Sequence, residues 1–351
     1  MHKFSTVARI ALPRLLLTAF IGFLLIFNSA CSLFGTHKKV QVPQLLPLSN
    51  ANRSRLIEEV NRLTAVHSMH GKIDIEFEDT SFASVGIAEK YRQVDGTVTL
   101  QRPGKIYLII QFTFVDIAQM ASDGEHFAVA VLKGDDKYKR FVKGTNSAVY
   151  PKLATDGIGA TSKDDKQKEK QTVSALSNLR PQHLTDALLP KPIDLSDGLI
   201  YAQSEFFQEE ADTRSTSKKG TRVLRGYYLL EEMTTAKDNE SRLLRRFWFD
   251  RTSSNGVRLA RLQTYDDRGL LVTDVSYFDD KPFGTNTTAS LPARIEITRP
   301  QDQYKLKITY QDPTSVELNK EYRPEAFVLE NKWQLPEVDL DAQNKKTTAN
   351  R

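Results

Sequence analysis

Strand-like runs cut by turn signals about every 8–15 residues constrain this chain more than any other feature. Ile73, Ile75 and Phe77 alternate with Asp74, Glu76 and Glu78, which predicts a half-buried strand. Similar segments follow at 90–101, 105–114, 116–122, 126–132 and 138–144. Arg102-Pro103-Gly104, Ser122-Asp123-Gly124 and Lys133-Gly134-Asp135-Asp136 separate them. The second half repeats the pattern at 199–209, 221–231, 241–251, 257–265, 270–279, 291–299 and 303–311, with hairpin turns at Asn255-Gly256 and Asp267-Arg268-Gly269. Connections this short favour an antiparallel meander. The expected fold is mainly β with flanking helices: one domain over 50–339, built on a large curved sheet or open barrel with helices at its mouth.

Two helices are expected. Over 50–67, Leu56, Ile57, Val60, Leu63 and Thr64 share a face, and Arg55/Glu59 and Glu58/Arg62 pair on the outer side. Ser49, Asn50 or Asn52 can cap it, with Gly71 just past its end. A short helix over about 180–189 starts at Pro181 and stops at Pro190, with Leu184, Ala187 and Leu188 as its apolar stripe. The polar run within 151–175 predicts a flexible insertion, and 340–351 a disordered polar tail.

Lys and Arg total 49 against 44 Asp and Glu, a formal +5. Residues 1–30 hold three of the basic residues and no acid, so the remainder carries 46 against 44, or +2. No nucleic-acid footprint remains. The N-terminus orders a basic stretch (His2, Lys3, Arg9, Arg14), an apolar run from Leu15 to Phe27, and the small-residue exit Asn28-Ser29-Ala30. Thirteen residues from Leu15 to Phe27 are short of the roughly 20 that a spanning helix needs. This order predicts a signal peptide over 1–30. Cys31, the only cysteine, follows at once. The segment resembles the lipobox of bacterial lipoproteins, with Asn28 where a Leu is usual. The resemblance implies cleavage before Cys31, acylation of its thiol, and a lipidated tether over 31–49. Ser32 after it, by the same resemblance, favours the periplasmic face of the outer membrane.

Asp95-Gly96-Thr97-Val98-Thr99-Leu100-Gln101-Arg102-Pro103-Gly104-Lys105, the following Ser122-Asp123-Gly124-Glu125 turn, and the helix at Pro181–Leu189 occur in a telling order. Phe247-Trp248-Phe249-Asp250, Tyr265-Asp266-Asp267-Arg268-Gly269, Ser276-Tyr277-Phe278-Asp279-Asp280, Pro292–Thr298, Tyr304–Tyr310, Asn319 and Phe327 continue it. Over roughly 50–335 the chain resembles the LolA/LolB-type lipoprotein carriers and receptors. The resemblance implies a half-open antiparallel β-barrel closed by helices, whose apolar concave side receives lipid or lipoprotein acyl chains. It further implies a role in outer-membrane lipoprotein sorting, with a periplasmic carrier protein as a possible partner. The chain departs from the receptors in its polar 151–175 insertion and in lacking a clear counterpart of their protruding apolar loop.

Strands apolar on both faces agree in kind. Ile106 to Phe114, Phe206-Phe207 and Phe247-Trp248-Phe249 suit either a packed core or the wall of a cavity. Leu108, Ile110, Phe112, Phe127, Phe247 and Phe249 are the expected cavity-lining residues, by alternation and by position after the turns. No catalytic residue, metal site or cofactor is expected. G-x-S-x-G, H-E-x-x-H and P-loop motifs are missing from the sequence. His67 and His70 lack a supporting carboxylate motif, and Asp266-Asp267 and Asp279-Asp280 sit at turns. The alternative to a lipid-binding protein is an anchored interaction, assembly or sensor module of the same fold without lipid cargo. An anchored hydrolase is the least favoured reading.

Overall fold

The computed structural model describes residues 43–80, 89–90, 93–112, 114–133, 136, 139–148, 150, 179–212, 217–218, 220–235, 240–253, 256–285 and 289–349. The signal peptide, Cys31 and the 151–175 insertion lie outside them. The chain divides into two units, 1–44 with 211–223 and 45–210 with 224–351. In the smaller, the Asp212 amide donates to the Thr221 carbonyl at 2.8 Å, and Gly220 has φ +87°, a conformation that glycine adopts without strain.

The larger unit is a mostly antiparallel sheet that does not close on itself, as the meander of turns predicts. Its strands are β1 (Ser68–Asp79), β2 (Val94–Gln101), β3 (Lys105–Phe112), β4 (Val115–Asp123), β5 (His126–Val131) and β6 (Arg140–Thr145). The second half adds β7 (Ile200–Ala211), β8 (Arg222–Thr235), β9 (Ser241–Asp250), β10 (Arg258–Tyr265), β11 (Leu271–Pro282), β12 (Ser290–Arg299), β13 (Tyr304–Tyr310) and β14 (Glu337–Asp339). Strand β1 joins the halves. It pairs with β2 through Ile73↔Gly96 and with β13 through Ile75↔Ile308. Successive hairpins carry the ladder from β2 to β6 and from β8 to β13. Strand β14 runs parallel to β6.

Helix α1 (Arg53–Thr64) starts where Asn52 accepts from the Arg55 amide, a side-chain cap worth about 1 kcal/mol. Its buried face is Leu56, Ile57, Val60 and Leu63, and each such side chain contributes roughly 1.5–3 kcal/mol. Glu59 is not on the outer side as the spacing suggested. It is 2% exposed and receives Arg62 at 2.8 Å and Arg258 of β10 at 3.0 Å. This pairing supplies the partners that a buried carboxylate requires. Gly71 does not close the helix either. It lies within β1, where a Cβ would meet a Val316 methyl at 2.8 Å.

Helix α2 (Pro181–Leu188) buries Leu184, Ala187 and Leu188 as expected. The expected disordered tail is instead helix α3 (Leu340–Ala349). Asp339 caps it through the Ala342 amide at 2.9 Å, and Leu340 is buried. Its weak amphipathicity hid it, because two contacts at its start hold it down rather than an apolar stripe. Leu46 is likewise buried, and its amide bonds the Leu224 carbonyl at 3.3 Å. The expected tether therefore docks onto the sheet before residue 49. No helix among the described residues is long and apolar enough to cross a membrane.

Candidate functional site

The site is organised by α2, which has different surroundings on its two sides. On one side lies a tight apolar seam of about 20 Å³, roughly the room of one water. Leu63 and Val66 at the end of α1, Leu188 and Leu189 at the end of α2, and Tyr277, Ile295 and Tyr310 of the sheet line it. Arg102, in the turn between β2 and β3, spans the helix ends. Its guanidinium donates to the Val66 carbonyl at 3.0 Å and to the Leu189 carbonyl at 3.1 Å. Helix C-termini carry partial negative charge, so one cation holds both. Its Nη2 is buried without a partner, which makes the tie costly to keep. The turn that carries Arg102 packs on the next one, where a Cβ on Gly124 (φ +104°) would meet the Pro103 carbonyl at 2.9 Å.

On the other side of α2 is an open cleft of about 840 Å³. Arg180, His183 and Asp186 present its helical wall, while Arg245, Thr264, Val275 and Arg299 present the sheet. Four of its cations are paired. Arg245 meets Glu232 at 2.5 Å, Arg299 meets Asp302 at 2.8 Å, Arg268 meets Asp266 at 3.1 Å and Lys191 lies 4.0 Å from Asp186. Arg180 has no ion pair among the described residues. Its guanidinium stacks over Phe127 at 5.1 Å and Tyr150 at 5.0 Å, and its Nη1 is buried without a hydrogen-bond partner. Tyr150 is itself fixed by Asp341 of α3, which also accepts from Thr145 at 2.9 Å.

His183 shares a hydrogen bond of 3.1 Å with the buried Tyr304 hydroxyl. Burial, then the charges of Arg299 and Arg180, holds its imidazole well below the usual histidine range. Partial desolvation at the cleft wall raises the Asp186 carboxyl against the pull of Lys191, Arg245, Arg102 and Arg299, although the side chain stays 55% exposed. Desolvation alone lowers Arg180 and outweighs the nearby Asp302 and tyrosines.

The expected lining residues fall elsewhere. Leu108, Ile110, Phe127, Phe247 and Phe249 do share one face of the sheet, as alternation indicates, but they belong to the packed core and none lines either space. Phe247 and Phe249 are 0% exposed and lie 6.5 Å apart. Phe112 is 38% exposed, because the register of β3 on β4 shifts between Ile110 and Gln111 and breaks the alternation. Beyond it, Phe114 is 95% and Val115 52% exposed, so this hairpin end carries an apolar projection that the sequence reading did not single out. Trp248 faces the other side, packed with Tyr227 and Leu229, which makes β9 the two-faced strand expected. Arg180, His183 and Asp186 were missed. Their spacing along α2 was a visible polar stripe, but nothing local distinguishes a cleft wall from a solvated face.

His70 is on a strand, 2.9 Å from the Thr99 hydroxyl, rather than at a helix end with His67. Among the described residues there is no group of three or more His, Cys, Asp or Glu side chains that could hold a metal ion.

No family model matches the chain, and no curated protein does. Solved structures give remote similarities of fold. A DUF1329 family protein from Desulfovibrio piger aligns at 11% identity and TM-score 0.38, covering 78% of this chain and 95% of that one. A LolA superfamily protein from Nitrosomonas europaea aligns at 11% and 0.37, covering 80% and 99%. A putative outer membrane lipoprotein-sorting protein domain from Vibrio parahaemolyticus aligns at 12% and 0.38, covering 81% and 99%.

Proposed function

We propose that this is a lipid-anchored envelope protein that binds the acyl chain of a lipid or lipoprotein without chemically changing it. The observation that carries the reading is the contrast across α2: a closed apolar seam on one side and an open cleft of about 840 Å³ on the other. That volume is within the roughly 300–1,000 Å³ of small-molecule sites. The seam is lined by apolar and aromatic side chains and held shut by Arg102. Movement of α2 away from the sheet opens apolar surface worth about 25 cal/mol per Å² to an acyl chain. Cys31 supplies the anchor, and the periplasmic face of the outer membrane is the location that Ser32 favours. A role in lipoprotein sorting, with a soluble carrier handing over the cargo, fits a site that binds and releases.

A second reading has its own support. Phe247 and Phe249, expected at a cavity wall, are fully packed, and a filled interior suits an anchored interaction module without cargo. Native mass spectrometry of the purified protein separates the two. Co-purifying lipid released on denaturation supports acyl-chain binding. Lipid-free protein that also ignores a fluorescent fatty acid supports the interaction module.

A further inference from the structure

We infer that Arg180 receives the anionic head group, a carboxylate or a phosphate, of the amphiphile whose chain the protein binds. The inference rests on the acyl-chain reading above and adds the polar end of its ligand.

Three observations converge on Arg180. Among the described residues it is the arginine of the cleft without an ion pair. Arg245, Arg268, Arg299 and Lys191 each have an acidic partner within 4.0 Å. Asp302, whose charge acts on Arg180, already holds Arg299 at 2.8 Å, and Asp341 beside the Tyr150 ring holds Thr145 and Tyr150. The guanidinium is also pre-positioned, stacked over the Phe127 and Tyr150 rings. The two rings hold the guanidinium in place, and its N–H groups suit a planar or tetrahedral oxyanion. Finally, Nη1 is buried with no acceptor, and a desolvated charged donor is expensive to leave unmet. A ligand oxygen relieves that cost, so the protein gains binding energy that the empty site lacks.

On the same wall the Asp186 carboxylate lies 4.0 Å from Lys191. His183 is on the same wall and is neutral at pH 7, since burial and Arg299 disfavour its charged form. The first turn of α2 carries no acidic residue and no side-chain cap, so the positive end of its dipole is not offset there. A head group at Arg180 leaves the remainder of the cleft, with Val275, Leu262 and Ala187, for the start of the chain.

The test titrates the full-length protein with a fluorescent fatty acid and with its uncharged methyl ester, and follows melting with inorganic phosphate alone. The expected result is that wild type binds the acid about tenfold more tightly than the ester. Arg180→Gln removes that preference, while Arg180→Lys keeps part of it. If Arg180→Gln does not fold, the comparison of acid with ester on wild type still decides. Equal affinity for acid and ester overturns the head-group assignment while leaving acyl-chain binding standing, as does a preference that survives in Arg180→Gln. Binding of neither amphiphile overturns both readings. Stabilisation by phosphate that Arg180→Gln abolishes, with no amphiphile bound, assigns the site to a free anion and overturns the lipid source.

Discussion

Phe249 has no exposed surface and lies against Phe247 in the main core, so its substitutions are core substitutions. Phe249→Ala is expected to cost about 3–5 kcal/mol, and Phe249→Glu to prevent stable folding by burying an unpaired charge. Chemical denaturation of both variants checks this. A Phe249→Glu protein of near-native stability would show that the site hydrates readily and that the interior is open there. His183 gives a pH signature. Its folded-state pKa is held below the ordinary histidine value of 6.5, so the unfolded chain binds the extra proton first as pH falls. The stability that this histidine contributes is complete above about 6.5 and declines on acidification toward its folded pKa. Thermal melts from pH 7.5 to 5 should fall more steeply in wild type than in His183→Gln. Parallel slopes would place the titration elsewhere. Single residues also mark where sequence reading stopped. Alternation identified the inward face of Leu108, Ile110, Phe127, Phe247 and Phe249. Whether an inward side chain meets a cavity or another side chain depends on chain far away in sequence, and period-two patterning carries no such information.

At the scale of elements, the strands and the two expected helices were legible because each has a complete local signature. Helix α1 has its apolar face and Asn52 cap, and α2 has Pro181 at its start. Helix α3 has little signature, and its anchoring to Thr145 and Tyr150 spans nearly 200 positions. Gly71 was read locally, as a helix stop, when its role is long-range. A Cβ there meets a Val316 methyl at 2.8 Å, so Gly71→Ala should destabilise by about 1–3 kcal/mol, and Val316→Ala should recover part of that loss. A double-mutant cycle measures the coupling, and additive effects would deny the contact. Arg102 acts between elements too. Arg102→Ala removes the donors to the Val66 and Leu189 carbonyls. Hydrogen exchange in α2 should accelerate severalfold, while the strands β3 and β4 keep their protection. Uniform acceleration over the sheet would make Arg102 a general stabiliser rather than a tie between helix ends.

The whole molecule combines a folded body with an attachment that only the sequence describes. The larger unit docks its leading segment at Leu46, which is buried and whose amide bonds the Leu224 carbonyl. The charge beyond residue 30 is only +2, too small to hold the protein on an anionic membrane by itself. In the proposed reading membrane residence comes from acyl chains on Cys31, at about 0.8 kcal/mol per buried CH₂, and two chains suffice for stable anchoring. The single cysteine makes this sharply testable. Wild type should partition with membranes, with an intact mass above that of the chain beginning at Cys31. Cys31→Ala should accumulate as an uncleaved precursor that retains residues 1–30, because the proposed processing step requires the modified thiol. Membrane fractionation with intact-mass analysis reads both outcomes. Normal cleavage and release of Cys31→Ala into the periplasm would rule out the lipid anchor and detach the binding site from the membrane role proposed for it.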